Sequence, residues 1–157
     1  MAPPRASVTP TSLPRPNIRY RNAGADGQAT GVTATVTKSM LGTGTRADPR
    51  LTPPGWQGNG LTYNEARGHL LARQLGGRGD EPRNLVTLTQ NAANSPHMSG
   101  FERQVARRVR DGEVVEYSAT PLYSRGILPP AAMLLTAQGS RGAPAARIIQ
   151  NPAGRGK

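Results

Sequence analysis

The chain has 157 residues, no Cys, 20 Lys and Arg against 9 Asp and Glu, and a formal charge of +11. That length fits one domain with loose ends, and the missing thiols exclude disulfide frameworks, Cys-based zinc sites and thiol nucleophiles. No apolar run approaches the roughly 20 residues of a membrane-spanning helix, and so large a positive excess points to a polyanionic partner bound in a salt-dependent way.

Residues 1–16, MAPPRASVTPTSLPRP, read as a disordered Pro-rich linker, and the basic start lacks the apolar core of a signal peptide. Residues 17–151 read as one domain. Val32, Ala34 and Val36 alternate with Thr33, Thr35 and Thr37, the period of a half-buried strand. Ile18-Arg19-Tyr20-Arg21 is its expected partner across the turn-rich Asn22–Gly27. Leu41–Gly60 is a long Gly/Pro/Thr connection that holds the single Trp, and a connection of this length is more often functional than idle.

The stretch from Glu65, EARGHLLARQLGG, predicts a short strand or extended entry around His69 and then a compact turn. A second strand is predicted over Asn84–Leu88. Ser95 suits an N-cap and Pro96 the first helical position, where its missing N–H costs nothing. Met98, Phe101, Val105 and Val109 form an apolar stripe, and Asp111-Gly112 ends the helix. Val114–Ala119, Met133–Ala137 and Arg147–Gln150 read as three further strands, and the residues from Asn151 to Lys157 as a frayed basic end. The pattern predicts an α+β fold with a mostly antiparallel sheet.

His69 stands two residues from Arg67, so on a strand both side chains share a face. A neutral imidazole beside a phosphate-binding Arg is what a hydrolytic general base on a phosphodiester requires. Asn84, Asn91 and Asn94 are residues that loops and caps ordinarily use, but an Asn oxygen is also a neutral ligand for Mg²⁺. Glu102 falls at the edge of the helical stripe with no Lys or Arg three or four positions away, which suits a cation across a cleft as well as a solvated face. His97, in the first helical turn, reads as a surface residue. Arg103, Arg107, Arg108 and Arg110 form a face that either clamps a phosphate backbone or solubilises the helix.

Arg67-Gly68-His69, Asn84-Leu85-Val86, Asn91, Asn94 and Glu102 together resemble the DNA/RNA non-specific endonuclease family, one of the ββα-metal or His-Me finger nucleases. The segment Ala66–Glu102 is similar to variants found as C-terminal toxin domains of bacterial polymorphic toxins. The resemblance implies a ββα-metal motif with His69 as the base that activates water. Asn91 or Asn94 would hold one Mg²⁺, which Mn²⁺ could replace, and Glu102 would bind its water shell. Asn84 would orient the site, and Arg67, Arg73, Arg103 and Arg107 would meet the substrate. It further implies DNA and RNA as substrates, secretion or delivery into target bacteria as part of a larger polypeptide, and a cognate immunity protein. Ala66 stands where the family commonly has Asp, for which Glu65 is a substitute within reach. The rival reading is a non-catalytic basic nucleic-acid-binding module, which would bind but cut nothing with any divalent ion.

Overall fold

The computed structural model describes residues 15–152. The linker expected over 1–16 and the basic tail expected over 152–157 lie outside it, apart from Arg15, Pro16 and Pro152. Strands β1 (Asn17–Tyr20), β2 (Val32–Val36), β5 (Val115–Leu122), β6 (Ala132–Gly139) and β7 (Ala145–Gln150) form an antiparallel sheet in the order β1-β2-β5-β6-β7. Alternation in β2 buries Val32, Ala34 and Val36 and turns Thr33 and Thr35 away, as its two-residue period predicts. The same face of β5 and β6 buries Val115, Tyr117, Ala119, Met133, Leu135 and Ala137.

A second, two-stranded sheet carries β3 (Glu65–His69) and β4 (Leu85–Thr89), paired antiparallel with His69 opposite Leu85. One short helical turn, α1 (Gly60–Tyr63), precedes it. Helix α2 (Ser99–Arg110) follows, and its Phe101, Val105, Ala106 and Val109 are buried in one core with the five-stranded sheet. Phe101 and Tyr117 meet at a ring separation of 6.4 Å. The succession β3, β4, α2 is the ββα arrangement that the family resemblance implies.

Two local expectations are corrected. The chain does not enter α2 in one step at Pro96: residues Gln90–Met98 form an irregular helical segment broken by extended backbone at Asn91 and Ser95. Asn151 is not frayed either. It is buried, accepts from the Thr89 N–H at 2.7 Å, and donates to the Thr87 and Pro130 carbonyls at 3.1 and 2.8 Å. One amide thus ties β4 of the small sheet to the β5–β6 connection, satisfying three backbone groups that would otherwise be buried unpaired.

Candidate active site

Alternation along β3 puts Glu65, Arg67 and His69 on one face, and all three hold the long connection that runs over it. Glu65 Oε1 accepts from the Gln57 and Gly58 N–H groups at 2.6 and 2.8 Å. Arg67 donates from Nε to the Leu51 carbonyl at 2.6 Å and from Nη2 to the Pro49 carbonyl at 3.0 Å. Its guanidinium carbon also lies 4.4 Å from the centre of the Trp56 ring. His69 Nε2 lies 2.8 Å from the Thr45 carbonyl oxygen.

A carbonyl only accepts, so Nε2 carries the hydrogen and Nδ1 keeps its lone pair. Burial lowers the imidazole pKa below its ordinary 6.5; the Thr45 hydrogen bond opposes the shift and the nearby Arg73 charge adds to it. The ring is therefore neutral at neutral pH, with one nitrogen free to take a proton.

The Thr45 carbonyl is itself held in place. Gly44, Thr45 and Asp48 donate their N–H groups to the carbonyls of Arg73, Gly77 and Gly79 at 3.1, 3.1 and 2.9 Å, and the Gly79 N–H returns to Thr45 Oγ1 at 2.8 Å. Residue 44 must be Gly for this approach, because a Cβ there would lie 2.4 Å from both the Arg73 and the Gly77 carbonyl oxygens. Asn84 sits beneath the same loop, fully buried. Its Oδ1 accepts from the Leu71 N–H at 2.9 Å, and its Nδ2 donates to the Leu71 and Arg78 carbonyls at 3.1 and 2.9 Å. Asn84 therefore reaches the site through the loop after His69 and touches no open surface. Tyr117 braces that loop from the core, its hydroxyl donating to the Leu70 carbonyl at 2.8 Å.

The segment after β4, which carries both asparagines, packs against both strands of the hairpin. Asn91 is exposed with extended backbone, and its carbonyl accepts from Asn64 Nδ2 at 3.1 Å. Asn94 is half-buried, and its Nδ2 donates to Gln90 Oε1 at 3.1 Å. That bond uses the amide nitrogen and leaves the Asn94 carbonyl oxygen as a free acceptor among the described residues.

Glu102 is not at the edge of the core as its helical angle suggests. Its burial is that of a core residue, because α2 packs against both β5 and the Arg73–Leu75 turn. Among the described residues its carboxylate makes no ion pair, and since no fully buried side-chain oxygen or nitrogen there lacks a partner, its unpaired oxygens are the part of the side chain that keeps contact with solvent. Burial pushes its carboxyl up to about 7, against a smaller pull downward from Arg103. A carboxylate whose side chain is buried but whose oxygens meet solvent, and a free amide oxygen, are hard oxygen donors that fit a hydrated divalent cation. No cluster of three or more His, Asp or Glu capable of holding a metal occurs among the described residues, so any such ion would keep most of its waters.

Arg73, Arg103 and Arg107 are exposed. Arg103, Arg107 and Arg110 fall at i, i+4 and i+7 on α2 and share a face, and Arg103 Nη1 donates to Ser99 Oγ at 3.3 Å. Arg108 departs from that face: it pairs with Glu113 at 2.9 Å and donates to the Arg141 carbonyl at 3.0 Å. His97 is exposed, as expected. Ala66 projects from the opposite side of β3 to Glu65, whose carboxylate bonds the connection. Thr45 and Gln90 escaped sequence reasoning, Thr45 because a backbone carbonyl leaves no residue signature. Gln90 had a signal, an amide four positions before Asn94.

A family model described as DNA/RNA non-specific endonuclease matches residues 17–140. Among solved structures, Sda1 nuclease with bound zinc ion superposes with a TM-score of 0.77 at 23% identity, covering 87% of this chain and 76% of that one. NucA from Streptococcus agalactiae with magnesium ion bound gives 0.75 at 19% identity, covering 93% and 78%. A protein described as an extracellular endonuclease gives 0.65 at 20% identity, covering 93% and 85%. At these identities the structures establish a shared fold. No curated protein sequence matches the chain.

Proposed function

The chain belongs to the DNA/RNA non-specific endonuclease family, and from that premise we propose that it hydrolyses phosphodiester bonds of DNA and RNA with His69 as general base and one Mg²⁺. The observation that carries this reading is the hydrogen bond from His69 to the Thr45 carbonyl, which leaves Nδ1 of a neutral ring as the proton acceptor. His69 takes a proton from water as its oxygen attacks phosphorus, and the bond from phosphorus to the 3′ oxygen breaks. Arg67 and Arg73 supply positive charge on the His69 side, and Arg103 and Arg107 meet phosphates along α2.

A bound divalent cation supplies charge that stabilises the crowded phosphate and the departing oxygen. Asn94 and Glu102 are the residues to hold it. Gln90 supports Asn94 over Asn91, because it fixes the Asn94 amide with its oxygen free. An all-oxygen donor set favours Mg²⁺, with Mn²⁺ as a substitute, over softer ions. In the test, plasmid is incubated with the protein and Mg²⁺, with and without EDTA, beside His69→Ala. Cleavage is expected from the wild type with Mg²⁺ alone; equal cleavage by His69→Ala removes the assigned base.

We place the activity outside the producing cell, in a toxin module delivered to target bacteria and restrained by an immunity protein. The likeness of Ala66–Glu102 to such modules supports this, as do neighbours described as an extracellular endonuclease and an extracellular nuclease. Expression in a bacterial cytoplasm is then lethal for the wild type and tolerated for His69→Ala; equal growth of the two strains refutes the toxin role.

A further inference from the structure

The single Trp of the chain sits where the long connection crosses Arg67. Its ring also lines an open groove of about 590 Å³ with Gly55, Gln57, Ile127, Leu128 and Pro129, within the range of about 300–1,000 Å³ typical of small-molecule sites. Gly55 lets the two walls meet backbone to backbone: its φ is +87°, and a Cβ there would lie 2.7 Å from the Pro129 nitrogen. The lining is chiefly apolar, yet Ile127 is 61% exposed.

Charge around the groove suits a polyanion. Arg67 stacks on the Trp56 ring, and Arg125 is exposed two residues from Ile127 without a carboxylate partner among the described residues. Glu65, the carboxylate bonded to Gln57, is buried beneath the connection. Arg67 lies two residues from His69 on β3, about 7 Å along the strand. An aromatic wall, an apolar floor and flanking cations match one ligand chemistry, a nucleobase carried on a phosphodiester strand.

Resting on the nuclease reading, we propose that this groove takes an unpaired nucleobase of the substrate strand, stacked on Trp56. A base within a duplex has both faces covered by its neighbours and cannot enter. The site therefore favours single-stranded, looped or frayed substrate over intact duplex, without reading sequence, because every base offers a π-face.

The lone Trp makes the test direct. The full chain is titrated in EDTA with oligothymidylate and with an abasic deoxyribose-phosphate strand of equal phosphate count, following Trp fluorescence and, separately, anisotropy of labelled strands. Oligothymidylate is expected to quench Trp56 and to bind at least about 5-fold more tightly than the abasic strand, the lower end of measured base stacking on an aromatic. Ile127→Ala, at an exposed position that the fold tolerates, narrows that ratio, and Trp56→Phe retains more of it than Trp56→Ala. Equal affinity of the two strands, or binding without a change in Trp fluorescence, overturns the proposal. Metal-dependent plasmid cleavage, measured alongside, is untouched by that outcome; its absence counts against the nuclease reading instead.

Discussion

Replacing Glu102 by Gln removes a buried negative charge and keeps the shape of the side chain. In the metal-free protein this substitution is expected to stabilise. The carboxyl moves from its ordinary 4.5 to about 7, so ionised Glu102 costs about 3 kcal/mol of folding stability at roughly 1.4 kcal/mol per pH unit. The sign follows from the raised value. Below pH 4.5 the folded and unfolded chains both hold the proton and the penalty is absent. Between 4.5 and about 7 it grows, and above that range it is complete. In EDTA at pH 8, Glu102→Gln should melt roughly 6–12 °C above the wild type, and at pH 4 the two should melt together. Mg²⁺ at pH 8 reverses the order of benefit, raising the wild-type Tm more than that of the variant, because the cation meets the charge that Gln lacks. Calorimetric melts at both pH values, with and without Mg²⁺, decide the matter. A difference between wild type and variant that is independent of pH, or equal stabilisation of both by Mg²⁺, refutes the reasoning.

Three further outcomes follow from the geometry. The acid limb of kcat/KM should lie below pH 6.5, since His69 acts when neutral and its pKa is lowered, and Arg73→Gln should move that limb upward by removing a cation; a pH–rate profile in which the limb is unmoved excludes the assignment. Asn84→Ala leaves the Leu71 N–H and two carbonyls unpaired in the interior, so urea unfolding should show a loss of about 2–4 kcal/mol, whereas a loss under 0.5 kcal/mol would mean that water replaces the amide freely. Gln90→Ala should weaken Mg²⁺ binding in titration calorimetry several-fold while Asn91→Ala changes it little, and the opposite ranking would transfer the ligand role to Asn91.

The strands were the most legible part of the chain. Val32, Ala34 and Val36 announce β2 because a sheet with one buried face imposes a two-residue period, and the three strands after α2 stand between Pro and Gly breaks. The start of α2 was not legible, since Ser95-Pro96 carries a cap signature while the observed irregular helical segment runs from Gln90 to Met98 with extended backbone at Asn91 and Ser95. Burial of Glu102 was hidden for a different reason: a helical wheel reports the angle of a side chain but not how far the neighbouring elements wrap around it. His69, Asn91, Asn94 and Glu102 stood out as candidates because together they resemble a known motif, and the sequence did not choose between the two asparagines in favour of Asn94. Their supports were invisible, since the Thr45 carbonyl and the bonds over β3 belong to backbone brought close by the fold.

Asn151 fastens the hairpin that bears His69, yet it follows β7, the last of the described strands to leave the ribosome during synthesis. A nascent chain that has exposed every catalytic candidate still lacks this clasp. Translation order therefore leaves the β3–β4 hairpin unclasped until the residues that follow β7 have emerged and folded back onto it.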